Sequence, residues 1–542
     1  MIKREFCSVI KTLFVNDIKY GWHSIDNKSY KFSFVGNINT INSVIDYFDN
    51  SKSRNYSNIN FFLNSLTSNF AFIYQDDSIV IAAVDRISSY NVFYTDVDSV
   101  IKFSNSSRVL AKENNETNVN NSSVLNLKMN GYVLGGNTIL ENIYRIGSAE
   151  FAYYNKNDGK LVIDEYTHFF SHKLVTRHQD DLIDELDYIT DKILLRNISN
   201  ADGATIWVPL SGGIDSRLVL CKLLDLGYDN VRTFSFGIPN NYDALRAKEV
   251  ANRLGVDWFF LPPTSNHLKS YYNSNDRRAF WEYADGLYTV PNLQWMYAMQ
   301  KLIKMGEMRT GDVIINGNSG DFITGQNTPK INDDTTLHDV YSMVIKKHFS
   351  LNSALLNEST NRFAIDSISN IIDTLPQDSR ELIKLYDLWE WKERQSKRVV
   401  NAQRNYEYLG LKWELPLWDK EYFDFWKELD VVHKANGSLY FKYLEKKNFY
   451  GLFKEYKPFM SRWPKNRLYI QLIGSMMKYT SGSRISQRYY KRLDWYSNYQ
   501  FLYQYIGKER FLSKHKIYRG FLPHYVDTWL DENIINNKFV NK

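Results

Sequence analysis

Between residues 205 and 261 the apolar pattern changes period in a way that leaves few folds open. TIWVPL (205–210) is a short β-rich run, SGGIDS (211–216) a turn, and RLVLCKLLDLG (217–227) a helical stretch closed by Gly227. VRTFSFG (231–237) reads as a second strand, YDALRAKEVANRLG (242–255) as a second helix ending at Gly255, and DWFFLP (257–262) as a third strand. Strands that alternate with helices lie parallel, because each right-handed crossover returns the chain in the same direction. A further strand, DVIIN (312–316), ends in another glycine-containing loop, NGNSGD (316–321). Ligands bind such a sheet at the C-terminal ends of its strands, so these two loops mark the candidate site.

The chain before residue 165 has a different grain. YKFSFVG, FAFIYQ, SIVIAAV, NVFYTD, VIKFSN, FAYYN and LVIDEY are short runs separated by Asn, Ser, Asp and Gly, which predicts an antiparallel, sheet-rich domain. Leu182, Ile183, Leu186, Ile189, Ile193 and Leu194 then repeat at helical spacing and open a second domain. From about 335 to 450 the pattern is helical. A chain of 542 residues is too long for one core, and the expected division is 1–170, 171–450 and 451–542.

Cys7 and Cys221 are too few for a disulfide framework or a cysteine metal site, and no 18-residue apolar run or cleavable leader is present, so a reducing cytoplasm is expected. After residue 454 the chain carries 16 Lys/Arg against 6 Asp/Glu, interleaved with aromatics in RWPKNRLYIQ and SQRYYKRLDWYSNYQFLYQY. An anionic sugar nucleotide, a lipid headgroup or plain solvent would suit that surface. The expectation is no nucleic-acid partner and at most a peripheral membrane contact.

Ser211-Gly212-Gly213-Ile214-Asp215-Ser216 joins a buried strand to a helix. Its glycines permit a tight turn, so successive N–H groups and the helix N-terminus face one point, which suits a pyrophosphate. The serine hydroxyls add donors, and Asp215 can hold the Mg²⁺ that accompanies a nucleotide. No G-K-[ST] occurs in the chain. The run resembles the PP-loop of ATP pyrophosphatases, which cleave ATP between the α and β phosphates.

From about residue 25 to 450 the resemblance widens to the asparagine synthetase family. It implies α/β architecture: an N-terminal antiparallel αββα domain of the N-terminal-nucleophile (Ntn) hydrolase type, then a doubly wound parallel-sheet synthetase domain with a helical extension. It implies that Leu210, Ser211, Gly212, Gly213, Asp215, Ser216, Phe236, Asn316 and Gly317 bind ATP, with Phe236 facing the adenine. Asp321 becomes a second Mg²⁺ ligand beside Asp215. WELPLWD (413–419) resembles the segment lining the acceptor site, which assigns Glu414 and Trp418 to the acceptor together with Asn318. Asn318 stands where the family has a glutamate, which points away from aspartate as acceptor. Lys442, in NGSLYFKYL, falls near the family lysine that steadies the pentavalent phosphorus.

The first domain resembles the family's glutaminase half: FAFIYQDDSIVIAAVDRISSYNVFYTD matches its core hairpins, Asp85-Arg86 a D-R pair, and ILENIYRIGSAEF its last strand. Active members expose an N-terminal cysteine. Here Ile2 follows Met1, and VGNIN (35–39) replaces the glutamine-holding loop, so this half is expected to be catalytically dead. The resemblance therefore implies an ATP- and Mg²⁺-dependent amide-forming ligase. Its partners would be a small-molecule or sugar-nucleotide carboxylate and an amine or ammonia, with a separate glutaminase and a homodimer both open. A uronic acid of a surface-polysaccharide precursor ranks first as acceptor, a lasso-peptide type cyclization second, asparagine formation third. A non-catalytic nucleotide-binding scaffold is the rival of another class.

Overall fold

The computed structural model describes residues 4–7, 13–15, 17–51, 54–97, 100–168, 177–237, 239–329, 334–372, 379–454, 467–483, 485–486, 489, 505–514 and 517–535. The expected boundary at 170/171 and much of the two basic aromatic runs lie outside the described residues.

Two sheets form the N-terminal layers. The strands are β1 (Arg4–Cys7), β2 (Leu13–Val15), β3 (His23–Asp26), β4 (Lys31–Gly36), β5 (Phe70–Gln75) and β6 (Ile79–Val84). They continue with β7 (Phe93–Val97), β8 (Val100–Ser104), β9 (Tyr144–Arg145), β10 (Glu150–Asn155) and β11 (Lys160–Glu165). One sheet runs β1-β11-β10-β6-β5-β4-β3 and the other β2-β8-β7-β9. Pairing is antiparallel except β2 with β8. Alternation sends Ala71, Ile73, Val80, Ala82, Tyr94 and Phe103 into the dry layer between the sheets. Helices α1 (Ile38–Asn50) and α2 (Tyr56–Ser65) cover the first sheet, and α3 (Ser107–Glu113) packs on β7 and β8. This is the expected αββα arrangement.

The second unit opens with α5 (Gln179–Ala201), after the short α4 (Asn121–Asn130) of the first. Its sheet contains β12 (Ile206–Pro209), β13 (Val231–Phe236), β14 (Trp258–Leu261), β15 (Val313–Ile315) and β16 (Lys412–Glu414), all parallel, in the order β14-β13-β12-β15-β16. The strand order reverses between β12 and β15, and the two glycine loops leave the sheet there, at the topological switch point where such sheets bind ligands. Helix α6 (Ile214–Asp225) follows β12 and buries nearly every side chain from Ile214 to Leu223; α7 (Tyr242–Leu254) follows β13.

Described residues from 505 onward belong to the core. Tyr505, Tyr525 and Trp529 join a cluster with Leu127, Val133, Trp281 and Leu293, and the Trp529 indole donates to Asp285 at 2.9 Å. Among the described residues no helix is long and apolar enough to cross a membrane.

Candidate active site

The first loop is fixed from both ends. Leu210 continues β12, its N–H donating to Phe234 and its carbonyl accepting from Ser235 Oγ at 2.6 Å. Ser216 Oγ, buried, accepts from the Ser211 N–H and lies 3.2 Å from Ser211 Oγ, which accepts from the Gly213 N–H at 3.1 Å. Gly213 caps α6 without a side-chain bond, so no cap side chain competes for the first-turn amides. Buried Arg217 donates to the Gly212 carbonyl at 3.1 Å and to the Leu452 carbonyl at 2.8 Å, tying the turn to the end of the synthetase unit. A Cβ on Gly212 would stand 2.8 Å from Asp243 Oδ1 and 3.2 Å from Asp243 Cα, so the loop runs close against the start of α7.

The second loop leans on the first. Asn316 donates to Gln403 Oε1 at 3.0 Å and accepts from the Asn318 N–H; Ser319, in the left-handed region at φ 67°, donates to Gln395 Oε1 at 2.7 Å. A Cβ on Gly317 would lie 2.7 Å from the Asp215 carbonyl carbon, and one on Gly320 would lie 2.5 Å from Asp215 Cγ. The two loops are thus in van der Waals contact, and Asp215 is the contact.

Asp215 is half-buried and Asp321 exposed. Burial first, and the charge of Asp321 second, push the Asp215 carboxyl up to about 7, against hydrogen bonds from Tyr440 and Gln326. The Tyr440 hydroxyl donates to Asp215 Oδ1 at 2.8 Å, and the Asn327 amide donates to Asp321. Two carboxylates brought together with so few cationic partners are what a divalent ion relieves. Magnesium takes one or two carboxylates and completes its shell with phosphate and water, and among the described residues no group of three or more His, Cys, Asp or Glu side chains could hold a metal ion without them. The pair therefore fits an ion that arrives on a nucleotide. Phe236, at the end of β13, meets Trp295 edge-on at 5.1 Å, forming an aromatic corner beside the first loop.

Two of the assigned side chains are bonded elsewhere in this structure. Lys442 does not reach the loops: it is exposed on α8 (Ser438–Lys447) and donates to Gln179 Oε1 at 2.6 Å. Two residues along a helix is about 200° of rotation, so Lys442 faces away when Tyr440 faces Asp215. Lys446 and Lys447 continue the same edge to Asp180, Asp184 and Asp187 of α5, and Lys442 is one rung of that ladder. Lys442→Ala is expected to leave turnover within about twofold of the parent and to cost under about 0.5 kcal/mol, read by steady-state rate and melting temperature.

Glu414, paired in the sheet with Ile315, has its carboxylate held by α5 and by the first domain. Its carboxylate accepts from Asn200 at 3.1 Å and from Asn37 at 3.2 Å, and Asn37 lies inside the VGNIN run. The same Asn37 caps α1 through its Oδ1. Burial pushes the Glu414 carboxyl up to about 7. A folded-state value above the ordinary one means stability that is full below about 4.5 and is lost as pH rises through 7. Glu414→Gln should flatten the fall in unfolding free energy between pH 5 and 8, by no more than about 3 kcal/mol, read by denaturant titration.

Trp418 is buried under the second loop, stacked on Phe322 at 5.7 Å, with its indole N–H unpaired among the described residues. Lys434, whose ammonium lies 5.9 Å from the centre of the Phe322 ring, borders a partly open pocket with Thr328, Asp387 and Trp426. Sequence reasoning missed Arg217, Tyr440, Gln395 and Gln403; only their spacing on helices that pack against the loops could have drawn attention to them.

A parallel sheet that reverses order between two glycine loops, with paired aspartates at the reversal, defines an α/β nucleotide-dependent ligase domain of the PP-loop type. Residues 203–455 match the family model described as asparagine synthase, and this match supports an ATP-dependent amide-forming ligase domain at the level of the family. No curated protein sequence matches the chain.

Proposed function

We propose that the protein adenylates a carboxylate and passes it to an amine, releasing AMP and pyrophosphate, without glutaminase activity of its own. The observation that carries this reading is the contact of Gly317 and Gly320 with Asp215, which gathers a helix N-terminus and two carboxylates at one point. The amides of 211–216 would hold the β and γ phosphates, and Asp215 and Asp321 would hold the magnesium that offsets their charge. The acceptor's carboxylate oxygen attacks the α-phosphorus, and the bond to the β-phosphate oxygen breaks. The amine nitrogen then attacks the acyl carbon, AMP leaves, and the nitrogen loses its proton. Excluding water and holding the partners in line supply most of the acceleration.

Asn37 supports the absence of glutaminase work: it is committed to capping α1 and to Glu414, in the segment that would otherwise hold glutamine. The amine is then free ammonia, ammonia from a separate glutaminase, or an amino group. The N-G-x-S-G-D-F loop, P-L-W-D and the basic C-terminal stretch support a uronic acid of a surface-polysaccharide precursor as acceptor. Pyrophosphate release from ATP, measured against a panel of uronic acids and peptides, tests the reading. Release with a peptide alone would move it to macrolactam formation. Silence with every carboxylate, despite ATP binding, would leave a nucleotide-binding scaffold.

A further inference from the structure

Helix α9 (Arg467–Ser481) turns an apolar side outward. Leu472 is 59% exposed, Met476 65% and Tyr479 92%; at 100° per residue the three fall within about 60° of one another, with exposed Ile473 beside them. Gly474, on the opposite side of the helix from Leu472 and Met476, is buried, and its carbonyl accepts from Ser486 Oγ at 2.8 Å. The helix thus packs through its glycine side and gives solvent four large apolar side chains. Among the described residues no other helix exposes more than two. Single exposed apolar residues are ordinary, whereas a stripe of them marks an interaction surface. The charge around the stripe says what covers it. Residues 457–492 contain nine Lys/Arg and no Asp or Glu, so along the sequence the stripe sits inside a block of one sign. A second copy of the helix would bring two such blocks together and be repelled. Single-stranded nucleic acid would stack on aromatic rings, and three of these four side chains have none. An anionic bilayer surface answers both features, because an apolar stripe enters the headgroup boundary while cations meet lipid phosphates.

We propose that α9 docks the protein on anionic phospholipid, with Leu472, Ile473, Met476 and Tyr479 entering the bilayer surface. Fifteen residues are too few to span a bilayer, so the helix lies in the plane of the membrane. The chain is held in the core on both sides of it, at Leu452 and Phe453 and again at Tyr505 and Ile506, so the docked helix brings the body of the protein with it. Docking places the ligase where a lipid-linked acceptor is presented. That consequence rests on the ligase reading; the docking itself does not.

The test is sedimentation of the full chain with sucrose-loaded vesicles of phosphatidylcholine containing about one quarter phosphatidylglycerol. The chain should pellet with them. Its partition coefficient should fall about tenfold or more on vesicles of phosphatidylcholine alone, and again when salt rises from about 0.1 M to about 0.5 M. Leu472→Ser/Met476→Ser should lose about tenfold or more and Ile473→Ser/Tyr479→Ser severalfold. Phe61→Ser, at an exposed position on α2, should bind like the parent. All of these side chains are exposed, so the variants should melt with the parent. No pelleting of the parent, equal pelleting with the neutral vesicles, or undiminished binding in both double variants overturns the docking. So does a lipid-free dimer, or retention of single-stranded RNA, that the double variants abolish, because the stripe would then belong to a second copy or to a nucleic acid. Pyrophosphate release in lipid-free buffer reports on the ligase reading separately, so either can fail while the other stands.

Discussion

Asp215→Ala is expected to abolish pyrophosphate release, by on the order of a thousandfold or more, while the melting temperature holds or rises. The rate loss follows from position: Asp215 belongs to the first loop, meets the glycines of the second and accepts from Tyr440. The stability claim follows from sign. A carboxyl pushed up to about 7 by burial and by Asp321 is charged at cost above that pH, and removing it relieves the cost. The parent should also lose affinity for Mg²⁺ as pH falls below 7, because protons compete for the same oxygens. Tyr440→Phe, which deletes a hydrogen bond favouring the charged form, should move that loss to higher pH. Retained turnover in Asp215→Ala, or a collapsed fold, would remove the residue from the mechanism.

The second domain's sheet was legible because period switching between strands and helices is a local signal: TIWVPL, VRTFSFG and DWFFLP are β12, β13 and β14 nearly residue for residue. Strand β16 overlaps the start of WELPLWD and is only three residues long, too short for alternation to show. In this structure both tryptophans of that run are packed. Trp413 donates to Glu407 at 2.8 Å and lies against Tyr90, and Trp418 supports the second loop from beneath. The short edge strands β1, β2, β3 and β9 gave no alternation long enough to read.

Side-chain direction was the part of the site that sequence could not supply. Residue type favoured Lys442, but the helix that carries it is oriented by Lys446 and Lys447 against the acids of α5, a contact between segments some 260 positions apart. Glu414 was drawn toward the first domain by Asn37, 377 positions away in sequence. Both placements have one kind of cause, contacts between segments distant in sequence: ion pairs at Lys446 and Lys447, and amide hydrogen bonds at Glu414.

Gly320→Ala should cut turnover on the order of a hundredfold, although it removes no functional group and places a better helix former at the start of Gly320–Ile323. The added methyl would stand 2.5 Å from Asp215 Cγ and 2.8 Å from Leu417 Cδ1, against about 3.5 Å for a relaxed contact. Something must move by about 1 Å. Leu417 is buried and boxed in, so the yielding group is the Asp215 carboxylate, which would have to leave the Tyr440 hydroxyl. Gly317→Ala differs in an informative way. Its methyl meets the Asp215 carbonyl carbon at 2.7 Å and the Ser216 N at 2.8 Å, atoms of a backbone that cannot rotate aside. That variant should lose stability as well, by about 1–3 kcal/mol, because the loops themselves must part. Melting temperature and Mg-ATP affinity measured together separate the two cases: Gly320→Ala loses affinity at near-parental stability, and Gly317→Ala loses both. Parental activity in the two variants would mean that the loops do not share one site.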